Sequence, residues 1–490
     1  MRADPHGIEP LLDVHRRDGK RQQRDDKCVL FYRVFVVILL LSILGLLVAD
    51  VLHRYTTDEG SSSQCANQPV YSNPVVPSLK QKLPEACGHL SAIPPLSDDS
   101  YELKQVQVII RHGDRVQWQP KKCWSSSTSV WNCSISMTST PSFNRTTTTM
   151  DAFRLFRHKF EYGVEPILGD CYVGQLTLRG YEQQIQNGMN LRKAYINSGF
   201  LGSSFNSSDV YIRSDDEPRT LQSVEAVING MYPPSTLKGK EVEVIDINTR
   251  DMNVEIMDSN PTLCPIVDKY EAALKNSSEV TARVQKVVMP LLRQLDSLLK
   301  RNLTSDDLDA LADCMTVYTC HGQPLPAGVT TDIFQRVLHE VTWFITHLYS
   351  YPSVENGTKA NIGFLIKSLF DRLEGKVEGK DHTKFIIYSG HDTTLLPLLV
   401  SFQLDINDIA WPPYASLMAI ELYRSKQRGN YAVRVVYNGQ TLQLPFCNGK
   451  GDSTSMLCEW EVFKEHLQNL IPDKEFCDGH LEMNPVLQEF

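Results

Sequence analysis

"VQVIIRHGDRVQ", Val106 to Gln117, decides how this chain is read. Val106, Val108, Ile109 and Ile110 form an apolar run suited to a buried strand, and Arg111, His112, Gly113, Asp114 and Arg115 follow without a break. A buried strand that ends in two arginines and a histidine implies that an anion meets it there. Two further runs end in the same manner. Val210–Ile212 is followed by Arg213-Ser214-Asp215, and Phe385–Tyr388 by Ser389-Gly390-His391-Asp392. Helical periods lie between the runs, such as Leu178, Tyr181, Ile185, Met189 and Tyr195. Strands alternating with helices predict an α/β fold, a central and mainly parallel sheet flanked by helices. Ligands of such sheets bind at the carboxyl ends of the strands. Parallel strands would therefore gather Arg111, Arg115, Arg213, His112, His391 and Asp392 on one rim. Val242–Ile247 is a fourth run of strand composition. Ala415–Tyr423 and Tyr431–Leu444 alternate apolar and polar residues, with Asn438-Gly439 as a tight turn, and predict an antiparallel edge.

Each of the three strand ends is followed by residues that can start a helix. Ser214 and Glu217 have the spacing of a capping box ahead of "PRTLQSVEAVINGMY". Helix N-termini add partial positive charge and free N–H groups. Together these features describe a site for a dianion, with phosphate the natural ligand. Guanidinium forks of Arg111, Arg115 and Arg213 match phosphate oxygens. His112 can attack phosphorus through a ring nitrogen. Asp392 can protonate the leaving oxygen, and His391 can donate to the phosphoryl oxygens. Gly113 and Gly390 read as places where the backbone must approach the ligand. No cofactor and no metal is called for, since no tight carboxylate cluster accompanies the two histidines.

The chain has 490 residues and a net charge of −9, which argues against nucleic-acid binding. Val34 to Ala49 is an apolar stretch of sixteen residues, extended by Val29 to Tyr32. With Arg16, Arg17, Lys20, Arg21, Arg24 and Lys27 before it, the charge rule predicts a cytosolic tail (1–28) and a type II transmembrane anchor (29–50). A cleaved signal peptide is the rival reading. Residues 51–100, rich in Ser and Pro, read as a lumenal stalk. The folded body spans 101–480, followed by a C-terminal tail (481–490). Six glycosylation sequons, at Asn132, Asn144, Asn206, Asn276, Asn302 and Asn356, all follow the apolar run, as do eleven of the twelve cysteines. Close spacing suggests the pairs Cys447 with Cys458, Cys314 with Cys320, and Cys123 with Cys133. Cys65 is the candidate for an intermolecular bond, a homodimer is left open, and Cys28 is a candidate for palmitoylation. Residues 119–150, rich in Ser and Thr, read as an irregular insertion. The spans of about 119–205 and 250–345 are assigned to a smaller, mainly helical cap.

The blocks "RHGDR", "IRSDDEPRTLQSVEAVINGMYPP", "SGHDTTLLPLL" and "GQLTLRGYEQ" resemble those of the histidine acid phosphatases, in the family's order, over roughly residues 101–480. The resemblance implies that His112 is the nucleophile, that Arg111, Arg115, Arg213 and His391 bind phosphate, and that Asp392 is the proton donor. It also implies an α/β domain with a helical cap, and a phosphomonoester as substrate. Gln117 stands where the signature has proline. Within the family, a cytosolic N-terminus with one N-terminal anchor is most similar to Golgi members that act on the xylose phosphate of proteoglycan linkers. The alternative function is a non-catalytic, membrane-tethered binder of phosphorylated glycans or proteins. Phosphoryl transfer to an alcohol in place of water is compatible with the same residues.

Overall fold

The computed structural model describes residues 87–88, 92–118, 123–124, 129–131, 133, 138–143, 150–156, 169, 171–233, 244–447 and 456–479. The predicted tail (1–28), the anchor (29–50), most of the stalk and the tail 481–490 lie outside them, as do Cys28, Cys65, Asn132 and Asn144. Among the described residues no helix is long and apolar enough to cross a membrane.

Strand β1 (Tyr101–Arg111) is the centre of the sheet, and its last seven residues are buried. Successive side chains of a strand point to opposite faces. Val106, Val108 and Ile110 enter one core and Ile109 the other. Each such burial contributes roughly 1.5–3 kcal/mol relative to exposure. The separate hairpin β2 (Thr138–Phe143) and β3 (Met150–Phe156) lies inside and beyond the stretch 119–150, which had read as irregular. β4 (Val210–Ser214) pairs in parallel with β5 (Phe385–Gly390), and β5 in parallel with β1. On the other side β6 (Leu417–Ser425), β7 (Tyr431–Tyr437) and β8 (Gln440–Thr441) follow in antiparallel sequence, and β9 (Cys458–Glu459) pairs antiparallel with β7.

The sheet is therefore mixed, not mainly parallel. β6, β7 and β8 are joined by short turns, which only antiparallel neighbours accept, whereas β4 and β5 are reached by helical crossovers. Asn438 and Gly439 make the predicted turn, both at positive φ, 47° and 79°. Val242–Ile247 is not a strand over its described part, 244–247. Val244 is exposed and Asn248 makes only an isolated bridge to Arg213.

On one face of the sheet lie α1 (Leu178–Leu191) and α2 (Pro218–Met231), around Leu191, Val224 and Val227. α3 (Ile266–Lys275) packs against Ala360, Phe476 and Cys477, and the cap holds α4 (Ser278–Arg283), tied by Arg283 to Glu340, with α5 (Met289–Leu299), α6 (Leu308–Cys320) and α7 (Thr331–Tyr349). Helices α8 (Val354–Val377), α9 (Asp392–Ser401) and α10 (Trp460–Asn469) cover the other face of the sheet, and α11 (Lys474–Asp478) ends the described chain. Around α5, α6 and α7 the cap has its own core, including Leu292, Leu295, Leu311, Met315, Phe334 and Val337. The span 119–205 does not belong wholly to it. Cys123, Trp124, Trp131 and Cys133 enter the cap core, while α1 packs on the sheet.

Five disulfides join the ten described cysteines: Cys87–Cys320, Cys123–Cys314, Cys133–Cys171, Cys264–Cys477 and Cys447–Cys458. Only the last matches the pairing by proximity. Cys314 and Cys320 both lie on α6, six residues apart. That separation is about 9 Å of helical rise with side chains on different faces, too far for the ~4.4–6.8 Å between Cα atoms that a bridge requires. Cys123 and Cys133 each bond elsewhere.

Candidate active site

The parallel strands end level. Arg111 of β1 lies opposite Gly390 of β5, and Ser214 of β4 opposite Ser389. The residues after each strand thus enter one cleft beneath the cap. The rings of His112 and His391 meet edge to face with centroids 5.5 Å apart. Nδ1 of His112 is 2.8 Å from the carbonyl oxygen of Gly113. A carbonyl only accepts, so Nδ1 carries the proton and the lone pair is on Nε2. Burial holds the His112 imidazole well below its ordinary pKa, and the charges of Arg219, Arg111, Arg115 and His391 push the same way. The ring is a neutral base whose Nε2 is available for attack.

Arg111 is buried, lies 4.3 Å from the centroid of the Tyr414 ring, and binds Asp392 Oδ2 at 2.6 Å. Its Nε is buried with no partner. Arg115 is held by Asp313 Oδ1 of α6 at 2.7 Å. Asp392 accepts from the indole N–H of Trp411 at 2.9 Å and from the Thr393 N–H at 3.0 Å. Burial pushes its carboxyl up, but Arg111, Arg115 and His391, with the Trp411 bond, outweigh this and leave it below the usual range. His391 Nε2 lies 2.7 Å from Asp215 Oδ2 and pairs with it. Nearby Asp258 is raised, by burial first and by Asp392 also, against the pull of His391 and a hydrogen bond from Thr393.

Arg213 is the exception among the expected ligands. Its guanidinium is spent on Glu255 Oε2 at 2.5 Å and on the carbonyls of Ser214 and Asn248. Arg219, in the first turn of α2, is a cation by His112 that the sequence reading did not single out. Among the neighbouring charges that depress His112, that of Arg219 acts most strongly, and its own buried Nε has no partner. Burial and the charge of Arg115 lower the Arg219 pKa, so the two guanidiniums stand close enough to repel. A cation in the first turn of a helix opposes the helix dipole. That misfit was the sequence signal for a nearby anion. The capping box of Ser214 and Glu217 does not form, because the Ser214 hydroxyl donates to the Asp215 carbonyl and Glu217 is itself the N-cap.

Packing alone requires both glycines. A Cβ on Gly113 would overlap the carbonyl of Gly180 on α1, and one on Gly390 would overlap the Thr394 hydroxyl. Helix α1 buries Gln183, Gln184 and Asn187 and leaves Met189 exposed, the reverse of its apolar period. Gln184 donates to the Arg111 carbonyl at 2.7 Å, Gln183 accepts from the Asp114 N–H at 2.8 Å, and Asn187 donates to the Ala415 carbonyl at 2.8 Å. The Thr177 hydroxyl, the N-cap of α1, donates to Asp114 Oδ1 at 2.6 Å, and His321 of the cap lies 2.6 Å from the same oxygen. Gln117, at the signature's proline position, is buried, and its carbonyl accepts from the Gly174 N–H at 2.7 Å. Asp313 and His321 carried no local signal, since their partners lie about two hundred residues away.

The chain belongs to the histidine phosphatase superfamily, branch 2, which matches it over residues 102–438. Hydrolysis of phosphate monoesters is the activity of this class. Counting factor 60 of Dictyostelium discoideum is 32% identical over 403 residues, covering 80% of this chain and 92% of that one. Prostatic acid phosphatase of Homo sapiens is 28% identical over 315 residues, covering 61% and 77%. The phytase of Citrobacter braakii shares the fold with a TM-score of 0.52 at 15% identity, covering 77% of this chain and 99% of that one.

Proposed function

We propose that the chain cleaves phosphate monoesters through a phosphohistidine on His112. The observation that carries this is a neutral, buried imidazole with its lone pair on Nε2, set among Arg111, Arg115 and Arg219, two of which have an idle buried Nε. In the first step Nε2 bonds to phosphorus, the ester P–O bond breaks, and the Asp392 proton passes to the leaving oxygen. Bound phosphate dianion favours the protonated Asp392 by like-charge repulsion. In the second step water attacks phosphorus, Asp392 takes its proton, and the P–N bond breaks to release phosphate. The guanidiniums and His391 neutralise the charge on the phosphoryl oxygens in both steps.

The body acts in the lumen of the secretory pathway, held by residues 29–50. Five disulfides suit an oxidising compartment, and Asn206, Asn276 and Asn302 are exposed, as glycan acceptors must be. The predicted topology favours the Golgi and phosphorylated glycans, such as a linker xylose phosphate, as substrates. The test is rapid quench of the full chain with a labelled phosphomonoester. Acid-labile, base-stable label is expected, and none on His112→Ala. Label that survives acid overturns the reading.

A further inference from the structure

The cleft balances its charges closely. Arg111 is paired with Asp392, Arg115 with Asp313, Arg219 with Glu217 at 3.0 Å, and His391 with Asp215. A single dianion fits this set, because Asp392 takes up a proton when it acts. Each of these four cations has a carboxylate partner, so a second phosphate on the substrate finds no uncompensated charge among them.

Asp309 makes the balance unfavourable to further anions. It stands one turn before Asp313 on α6, and residues four apart share a helix face. Asp313 is occupied, binding Arg115 and accepting the Trp118 N–H at 3.0 Å. Asp309 makes no hydrogen bond or ion pair among the described residues. Its side chain is exposed. Lost hydration, with the charges of Asp313 and Asp392, raises its carboxyl to about 6 against the pull of Arg115. Asp313 holds Arg115 of the cradle, and Asp309 stands one turn back on the same face of α6, which sets it beside the cradle.

We propose that Asp309 is a specificity determinant that admits monoesters with uncharged or cationic leaving groups and turns away substrates bearing a second anionic group. This rests on the phosphatase reading of the same cleft. Above pH of about 6 the carboxylate is charged and repels; below it the group is protonated and the discrimination relaxes. Exposed charges are screened over about 8 Å at physiological ionic strength, so added salt relaxes it too.

The test uses the full chain and a matched pair, propyl phosphate and propane-1,3-diol bisphosphate, with inositol hexakisphosphate as an extreme polyanion. At pH 7 the wild type is expected to prefer propyl phosphate, with the ratio of kcat/KM narrowing at pH 5. Asp309→Asn should raise the bisphosphate relative to propyl phosphate by about five- to tenfold, a factor in keeping with one unit charge acting across a partly solvated gap. Asp309→Glu should keep the wild-type ratio. The proposal is overturned if the Asn variant keeps that ratio, or if the wild type takes the bisphosphate as readily. A wild type that hydrolyses no member of the set overturns the phosphatase reading, and this proposal with it.

Discussion

Exchanging the two arginines of the second strand end separates what they do. Arg219→Ala removes a charged donor from the phosphate cradle and leaves no buried partner stranded, since Glu217 is half-exposed. Loss of one preorganised donor of this kind costs about 2.7–4 kcal/mol of transition-state binding, or roughly a hundred- to thousandfold in rate. Because the Arg219 charge helps to lower the His112 pKa, its loss lets that pKa rise. The acid limb of the pH profile should move to higher pH. Arg213→Met does something else. It strands Glu255, whose side chain is 6% exposed, and breaking a buried pair costs about 3–5 kcal/mol of stability. Glu255→Gln in the same chain should restore much of it, because Glu255 Oε1 still accepts from the Ile256 and Met257 N–H groups. The assays are urea unfolding, kcat/KM for an aryl phosphate, and inhibition by inorganic phosphate. Arg219→Ala should keep its midpoint and lose phosphate inhibition. The double variant Arg213→Met with Glu255→Gln should fold and keep it. A folded double variant without phosphate affinity, beside an Arg219→Ala that retains it, would refute the assignment and return the ligand role to Arg213.

Further outcomes are expected for the acid–base pair and for the disulfides. His112 must be free of its proton and Asp392 must carry one; both are lowered, so kcat/KM should peak well on the acid side and fall as rising pH strips the proton from Asp392, already below neutrality, and Asp392→Asn should slow alkyl phosphates far more than nitrophenyl phosphate, whose leaving group needs no proton. Unreduced digests should yield peptides joined through Cys87–Cys320, Cys123–Cys314 and Cys133–Cys171, and replacing both Cys123 and Cys314 by Ser should cost about 4–5 kcal/mol for a loop of that length, measured as a lower urea midpoint; peptides joined through Cys314–Cys320 would contradict the fold of α6.

How much of this was legible in the sequence depended on the range of the interaction. The three strand ends were legible because apolar runs and the charges after them are contiguous. So was the turn at Asn438-Gly439, because two residues determine it. The balance of parallel and antiparallel pairs was not, since it depends on which strand neighbours β1 on each side. Disulfide partners were misread for the same reason. Proximity in sequence favours Cys314 with Cys320, yet a rigid helix between them forbids it, and the bonds that form span 233 and 191 residues. Arg213 was chosen over Arg219 because it follows the strand directly. What decides between them is Glu255, forty-two positions away, which claims Arg213 for the interior.

Helix α1 shows why an apolar period can point away from the burial that matters. A catalytic loop leaves the sheet with its backbone groups unpaired, and buried peptide groups need partners. Leucine cannot supply them. Gln183 and Gln184 can, and they bind the backbone of Asp114 and Arg111 on either side of His112 and Gly113. Gly180 lets the helix come close enough for those bonds, since any Cβ there would overlap the Asp114 carbonyl. The polar stripe is therefore the inner face, with glycine and amides where a core helix would carry aliphatic residues. The same bonds hold His112 against rotation of its own peptide, so that Nδ1 stays on the Gly113 carbonyl and Nε2 stays free. Thr177 and His321 fix the next residue, Asp114, from α1 and from the cap. The nucleophile is thus oriented by a helix on the sheet and by a helix of the cap together, and the cap that shapes substrate choice is also part of what aims the attacking nitrogen.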